Sequence, residues 1–427
     1  MSVILEMGEF ASFIGLLGSF YCLAEAFTVY RLMRLKGVRT TALVATASGT
    51  KLLTMPARSS TNYKSPAITI LKPLHKVATE LRTDLETLFA QDYTGPIQIV
   101  FGLHSESDPA KEIVDQLRGQ HPSADINVVV SSKTHGANAK VTNLLNMYPF
   151  ARNPILVVCD GDIAVPPNWL STLIRTLDAP GIGLASCLYY GVPERPLFWP
   201  IMSAMGMSYS FLPNVVLAAA AGLEMPCLGA TMAIRQNTLT EVGGFERFAE
   251  VLADDYELGR AVRAEGYSVA LSTSVVRHNA GEKQISDFFA HELRWARTIR
   301  MINPMGYALS AITYNTGFAT LGVLSGPTAF ALSILAFAVG ARIVLQHVVD
   351  RAFGCWSGPA WLLPLRDLVS FLLFTLSFMS RKVRWDRRVF YASPSGPRSN
   401  FKPASGSFRP TAPQDPRPAG VASAPYS

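Results

Sequence analysis

The chain has 427 residues, a formal charge of +7, 49% hydrophobic residues and only 16% charged ones, with a mean hydropathy of +0.23. That is too apolar for an ordinary soluble enzyme, and it predicts membrane segments. Nine Lys/Arg and two Asp from Arg381 to Ser427 carry the whole surplus, so the basic balance is local and nucleic acid is a poor explanation for it.

Cys22, Cys159, Cys187, Cys227 and Cys355 contain no CxxC pair. They offer neither a zinc site nor a disulfide framework, and they suit a reducing compartment. Residues 1–36 read as a transmembrane anchor. Phe10 to Tyr30 is apolar and about long enough to span, with Glu25 its one charge. Glu6 and Glu9 precede it, where a secretory signal would place basic residues. No acid lies between Glu25 and Glu80, whereas Arg31, Arg34, Lys36, Arg39, Lys51, Arg58 and Lys64 do. The positive-inside rule then puts the N-terminus outside and the following chain, a basic linker over 37–66, in the cytosol.

From 67 to 307 the pattern predicts one α/β domain. Strands are expected at Ala67–Leu71, Ile97–Leu103, Ile126–Val130 and Ile155–Cys159, with helices at Thr79–Ala90, Asp108–Arg118 and Ala139–Met147. This alternation implies a mostly parallel sheet whose ligands sit at the strands' carboxyl ends, where Lys72, Asp108 and Asp160-Gly161-Asp162 fall. Two carboxylates two residues apart after a buried strand can hold a divalent cation beside a nucleotide. The plain alternative for the tripeptide is an Asp-Gly turn leaving the sheet.

Pro196–Leu223 has no charge but is interrupted by Pro200 and Pro213. A single span there would part Asp160 from Asp255. It reads either as one or two interfacial helices with Phe198, Trp199, Met202, Met205, Met207, Tyr209 and Phe211 facing lipid or a lipid acceptor, or as plain core. Cys227 to Trp295 then carries a small-residue run (Gly229, Ala230, Thr231), a helix opened by Asp254 and Asp255, and a second helix with Arg294, Trp295 and Arg297. Acid chemistry followed by an anion clamp is the reading. Residues 308–380 predict a membrane hairpin from the apolar runs Phe318–Val339 and Pro359–Met379, turning near Asp350–Trp356 outside, although Gly326-Pro327 interrupts the first run and Arg366-Asp367 the second, so neither is a clean span. Arg381, Lys382, Arg384, Arg387 and Arg388 hold the C-terminus inside. Residues 381–427 are a basic then Pro/Ser-rich tail, expected to be disordered from Ser393.

The motifs Leu-Lys-Pro-Leu (71–74), Ser-Asp-Pro-Ala (107–110), Asn-Ala-Lys-Val-Thr-Asn-Leu (138–144), Cys-Asp-Gly-Asp-Ile (159–163), Cys-Leu-Gly-Ala-Thr-Met (227–232), Ala-Asp-Asp-Tyr (253–256) and Arg-Trp (294–295) resemble, in this order, the ceramide glucosyltransferase family. The match is closest to its bacterial branch, the hopanoid-biosynthesis-associated glycosyltransferases. The resemblance implies a GT-A fold, a Rossmann-like mixed sheet, with flanking transmembrane helices. It implies a UDP-sugar donor, a lipid acceptor, inversion at the anomeric carbon and a divalent metal, Mg²⁺ or Mn²⁺. It places the catalytic domain on the cytosolic membrane face, at the inner or plasma membrane if bacterial and the Golgi if eukaryotic.

By the same resemblance Asp255 is the general base, and Arg294 stabilises the leaving group. Lys72, Asp108, Lys140, Asp160, Trp295, Asp254 and His291 contact the donor, and Asp160 with Asp162 holds the metal. His291 stands where the family has Gln or Arg, and reads equally as a polar residue on a helix surface. The expected reaction moves one sugar from UDP-N-acetylglucosamine or UDP-glucose to a lipid hydroxyl, foremost a hopanoid polyol. Ceramide is the alternative acceptor. A processive polysaccharide synthase shares the acidic motifs but usually has more spans after them, and its hallmark Gln is His291 here. A non-enzymatic scaffold is the third class, opposed by retention of every expected acid.

Overall fold

The computed structural model describes residues 2–36, 41–46, 49–54, 65–74, 80–223, 227–380, 382–385, 388–391 and 398–399. Its sheet contains β1 (Thr41–Thr46), β2 (Gly49–Thr54), β3 (Ile68–Pro73), β4 (Ile97–Leu103), β5 (Asp125–Val130), β6 (Ile155–Cys159), β7 (Ile163–Ala164), β8 (Ile182–Pro193), β9 (Thr231–Arg235) and β10 (Ser268–Ala280). The spatial order is β2-β1-β10-β8-β9-β6-β3-β4-β5, with β7 on β10. β6, β3, β4 and β5 run parallel, and β9 pairs antiparallel with both β6 and β8. The sheet is therefore mixed, and the four expected strands form its parallel half. The expected linker over 37–66 is corrected by β1 and β2, a hairpin that joins β10 antiparallel. Thr, Val and Leu in Thr41–Thr46 and Gly49–Thr54 have the β-propensity for it, which the basic charge count had obscured.

Alternation along the central strands splits the core into two layers. Ile68, Ile70, Ile155 and Val157 face one layer, while Leu71, Leu156 and Val158 face the other. After the long α1 (Ser2–Lys36), the helices α2 (Leu81–Glu86) and α3 (Ala110–Gln120) supply Leu81, Leu85, Val114 and Leu117 to the first layer. α4 (Ala139–Met147) supplies Val141 and Leu144 to the second, and α5 (Trp169–Leu177) returns to the first with Trp169 and Leu173. Asn138 starts α4 by accepting from the Val141 N–H at 3.0 Å, a cap of about 1 kcal/mol.

The charge-free segment becomes α6 (Phe198–Gly206), a π turn over Met207–Phe211 and α7 (Leu212–Ala220). Pro213 has no N–H for the Tyr209 carbonyl four residues back, so the ladder opens there. Arg342 fills the vacancy, donating to the Tyr209 oxygen at 2.6 Å. The lipid-facing reading is corrected: Met202, Met205, Met207 and Tyr209 are buried, and of the seven expected residues Phe198 is the exposed one. The helix before β9 follows β8 in the same sheet, so its two flanks start and end on one side of the protein.

α8 (Gln236–Glu241) and α9 (Asp254–Ala264) pack on the second layer, and α10 (Ile285–Ile302) and α11 (Pro304–Leu309) lead to the C-terminal helices. The apolar run Phe318–Val339 breaks where Gly326-Pro327 interrupts it. Gly326-Pro327 separates α12 (Asn315–Ser325) from α13 (Ala329–Phe353), and the chain turns at Gly354, in the left-handed region, before α14 (Leu363–Ser377). Among the described residues, four stretches are long and apolar enough to cross a membrane: Glu6–Leu32, Phe198–Ala220, Ala329–Phe353 and Ala360–Ser377. α1 lies close against α12, where a Cβ on Gly15 would stand 2.9 Å from the Ala319 nitrogen. The expected disordered tail lies outside the described residues, apart from Arg398–Ser399, which pairs with Arg388–Tyr391.

Candidate active site

The buried strand β6 delivers a tight turn at its carboxyl end. The Asp160 N–H donates to the Ala230 carbonyl (3.1 Å), the Ile163 N–H to the Asp160 carbonyl (3.2 Å), and the Asn279 N–H to the Asp162 carbonyl (3.0 Å). Lys72 holds this turn from below. It is fully buried, and its Nζ donates to the carbonyls of Asp160 (2.5 Å) and Ile163 (2.9 Å). The donor contact expected of Lys72 is thereby corrected. A buried ammonium needs acceptors, and these carbonyls supply them from within the protein.

The carboxylates of this turn point into a cleft, with 31% of the Asp160 side chain and 48% of Asp162 accessible. Lys140, projected by the first turn of α4, lies 2.5 Å from Asp160 Oδ1, 3.9 Å from Asp254 Oδ2, and donates to the Gly229 carbonyl at 3.1 Å. Recess in the cleft pushes the Asp160 carboxyl up to about 7, against the pull of Lys140 and with the push of Asp162. Burial opposes the Lys140 charge, but Asp160 and Asp254 outweigh it and hold the ammonium above its ordinary range. Burial would raise Asp162 as well. The His278 ring, its Nε2 at 3.4 Å, and Lys72 outweigh it and keep Asp162 below the usual carboxylate range.

Asp254 and Asp255 open α9 side by side and do different things. Asp254 Oδ1 accepts from Asn138 Nδ2 at 3.0 Å, so it is joined to the cap of α4. Asp255 faces Gly229, where a Cβ would come within 2.7 Å of its Oδ2. The small residue expected to admit a ligand thus makes room for a carboxylate. Burial and the neighbouring Asp254 charge raise the Asp255 carboxyl to about 6, opposed by Lys140.

α10 forms the opposite wall. Burial depresses the Arg294 guanidinium, while Asp162 and Glu282 act in the opposite sense. Trp295 meets Tyr189 edge-on at 6.4 Å and Phe211 at 5.9 Å. His291 Nδ1 contacts Glu282 Oε1, and its ring stands 5.2 Å from Trp295. His291 is therefore in the cleft wall rather than on an open helix surface. Asp108 stands apart: its Oδ1 accepts from the Ala110 N–H at 3.0 Å and starts α3. Arg297, half-buried further along α10, donates to the Lys382 carbonyl at 3.3 Å.

Tyr189, His278 and Glu282 escaped the sequence reading. Burial and the charges of Asp255, Asp160 and Asp162 hold the Tyr189 hydroxyl well above its ordinary value, so this ring stands among all three acids. The signal was present: Ile182–Pro193 is a long, largely apolar run with Tyr189-Tyr190 near its end, and Ser268–Ala280 carries Arg277-His278-Asn279 near its end. Among the described residues, no three His, Cys, Asp or Glu side chains converge as a closed metal cage.

The family described as Glycosyl transferase family 21 matches residues 30–397. Ceramide glucosyltransferase 1 of Caenorhabditis elegans is 26% identical over 241 residues, 54% of this chain and 49% of its own length. The Candida albicans ceramide glucosyltransferase is 30% identical over 122 residues, 26% of this chain and 22% of its own. The chain spans about half the length of the first of these curated relatives. Among solved structures, the mannosyltransferase PcManGT from Pyrobaculum calidifontis, in complex with GDP-Man and Mn²⁺, is 16% identical with a TM-score of 0.46, covering 86% of this chain and 98% of its own.

Proposed function

Because the chain belongs to glycosyl transferase family 21 and has the mixed α/β sheet of a GT-A fold, we propose that it moves one sugar from a UDP-sugar to the hydroxyl of a membrane lipid, with inversion. The observation that carries this reading is Asp255. Its carboxyl is raised to about 6, rests on Gly229 and shares Tyr189 with Asp160, Asp162 and Arg294. A lipid hydroxyl is a poor nucleophile, so a carboxylate must take its proton as oxygen attacks the anomeric carbon. The bond to the diphosphate oxygen breaks as the new glycosidic bond forms. Arg294 stabilises the negative charge growing on UDP. Asp254 orients α9 through Asn138, and Lys140 balances the acids from beneath. Trp295 and His291 shape the wall, and Asp108 contributes to the nucleotide side by fixing the start of α3.

Asp160 and Asp162 present hard oxygen donors on an open turn, which suits Mg²⁺ or Mn²⁺ sharing its shell with diphosphate oxygens. The bound ion would supply Lewis-acid stabilisation of the leaving group. The sequence resemblance to the hopanoid-associated branch favours a hopanoid polyol and UDP-N-acetylglucosamine. The Caenorhabditis and Candida relatives favour ceramide and UDP-glucose as the second reading. The cytosolic orientation of the cleft rests on the basic residues that follow α1.

The test uses the full chain in nanodiscs, each radiolabelled UDP-sugar, and a hopanoid polyol or ceramide. One sugar per lipid, lost on adding EDTA and restored by Mn²⁺, is expected. A growing polysaccharide in place of a monoglycosylated lipid overturns the reading, and an EDTA-insensitive rate overturns the metal roles of Asp160 and Asp162.

A further inference from the structure

The loop between β10 and α10 holds an acid that the transfer chemistry leaves idle. Its backbone is fixed at both ends. β10 runs parallel to β8 until Ala280 pairs with Pro193, and the Glu194 N–H donates to the Ala280 carbonyl at 2.9 Å. Gly281 then passes so close to Glu194 that a Cβ would stand 2.8 Å from its Oε2. Glu282 follows, and α10 starts soon after at Ile285. His291, in the second turn of that helix, comes back to meet it, with Nδ1 against Glu282 Oε1.

The two members of this pair are unequal. The Glu282 side chain is 9% accessible and the His291 side chain 21%, so the carboxylate lies behind and the ring in front. Burial alone would raise the Glu282 carboxyl. The hydrogen bond and charge of His291, with the charge of His278, outweigh it and hold Glu282 below the usual carboxylate range. Glu282 Oε2 is buried with no hydrogen-bond partner among the described residues. Fastening the loop needs one oxygen, and a second one left bare is a cost that fastening does not explain. The Glu282 charge also acts on Arg294, and His291 acts in turn on Asp162. One carboxylate thus stands behind two cationic side chains that flank the turn bearing Asp162.

The far side of α10 is different. Trp295 also borders a cavity of about 290 Å³ between α1, the π turn, α10, α13 and α14. The guanidiniums in its walls are committed within the protein. Arg342 Nη2 donates to Asp367 Oδ1 at 2.9 Å, and Arg366 Nη2 donates to Glu292 Oε2 at 2.8 Å. Positive charge that meets an anion in the cleft therefore comes from the cleft's own wall.

We propose that Glu282 is a positioning residue: it fixes the His291 ring so that Nε2 donates to the diphosphate, and His291 shares with Arg294 the charge that grows on UDP. An ionised carboxylate only accepts, so Nδ1 carries the proton of their contact. Nε2 then bears a proton only in the imidazolium, which Glu282 on one side and a diphosphate on the other both favour. An arginine at this position would keep its charge without such a partner. This inference rests on the UDP-sugar reading and adds a residue that governs how the leaving group is held.

The experiment titrates UDP, with Mn²⁺ in excess, into the full chain in nanodiscs by calorimetry. Glu282→Gln, close in shape to the parent, should weaken UDP about tenfold, the loss of one charge-assisted hydrogen bond. His291→Gln should lose as much, and the two changes together no more than either, because the pair acts as one unit. In a His291→Arg background the same Glu282→Gln change should leave UDP affinity equal or tighter, since the guanidinium no longer shares its charge with a carboxylate. A carboxylate that merely fastens the loop would weaken UDP equally in both backgrounds and lower both melting temperatures.

Unchanged UDP affinity in Glu282→Gln, or the same loss in the parent and in His291→Arg, overturns the proposal. Sugar transfer to lipid by a parent whose Glu282→Gln variant binds UDP unchanged leaves transfer standing and removes the role of Glu282. UDP binding that depends on Glu282, with no sugar transferred to any lipid, supports the proposal and removes the lipid-transfer reading. A parent that does not bind UDP overturns both.

Discussion

The cleft and the cavity handle charge in opposite ways. In the cleft, Asp160, Asp162, Asp254 and Asp255 crowd around Lys140, His278 and Arg294, and two of the acids are pushed up towards neutrality. In the cavity, Arg342 and Arg366 are matched to Asp367 and Glu292 by direct hydrogen bonds. Unbalanced charge at a solvent-open site can be discharged by an ion, a proton or a transition state. Charge inside an apolar layer has to be balanced by the protein itself. The same residue types thus serve chemistry in one place and assembly in the other.

Substitutions can break this contrast in graded steps. Asp160→Ala should give the largest effect, activity below detection in the nanodisc assay, with a folded protein by circular dichroism, because the lost carboxylate borders solvent. Arg342→Met strands Asp367 in the apolar layer and should cost about 3–5 kcal/mol of stability, whereas Arg342→Met with Asp367→Leu should recover most of it. Thermal denaturation of the pair decides this, and a single variant as stable as the parent would remove the contrast. Asp255→Asn should lower turnover by at least about 10²-fold, with UDP affinity by calorimetry nearly unchanged because the base acts in the transition state.

Gly229→Ala drives a methyl against Asp255 and should lower turnover by roughly tenfold through misplacement. Equal rates would mean that the carboxylate can shift freely. The smallest effect belongs to Asp254→Asn, read in the pH profile. The base works deprotonated, so turnover should fall as pH drops through about 6 in the parent. Removing the like charge beside Asp255 should move that limb to lower pH. A limb that moves upward would assign the titration to another group.

Much of the cleft was legible because it is local in sequence. Buried β-branched runs announce β3, β4 and β6, and acids at their ends announce the ligand side. The function of Lys72 was not legible, since its partners lie across the sheet in the Asp160 turn. The partners of Asp254 and Asp255 were not legible either, since α4 brings Asn138 to one and the loop before β9 brings Gly229 to the other. The C-terminal helices were legible only in part. Gly326-Pro327 marks the break between α12 and α13, but hydropathy does not place the helix ends around it. Hydropathy also marks Arg366-Asp367 as an impurity in a span, although both residues are buried partners of groups elsewhere in the chain.

The π turn at Pro213 has a consequence for biogenesis. Arg342 stands near the middle of the 25-residue α13, where a lone arginine adds roughly 2.5–3.5 kcal/mol to the insertion of an isolated helix. Its carboxylate partner, Asp367, is synthesised later. The Tyr209 carbonyl that Pro213 leaves open is synthesised earlier and accepts from the same guanidinium. The ribosome therefore completes one half of the arginine's berth before α13 emerges and the other half after it. Vectorial synthesis thus offers the arginine its backbone acceptor before α13 is made and its carboxylate partner only when α14 follows.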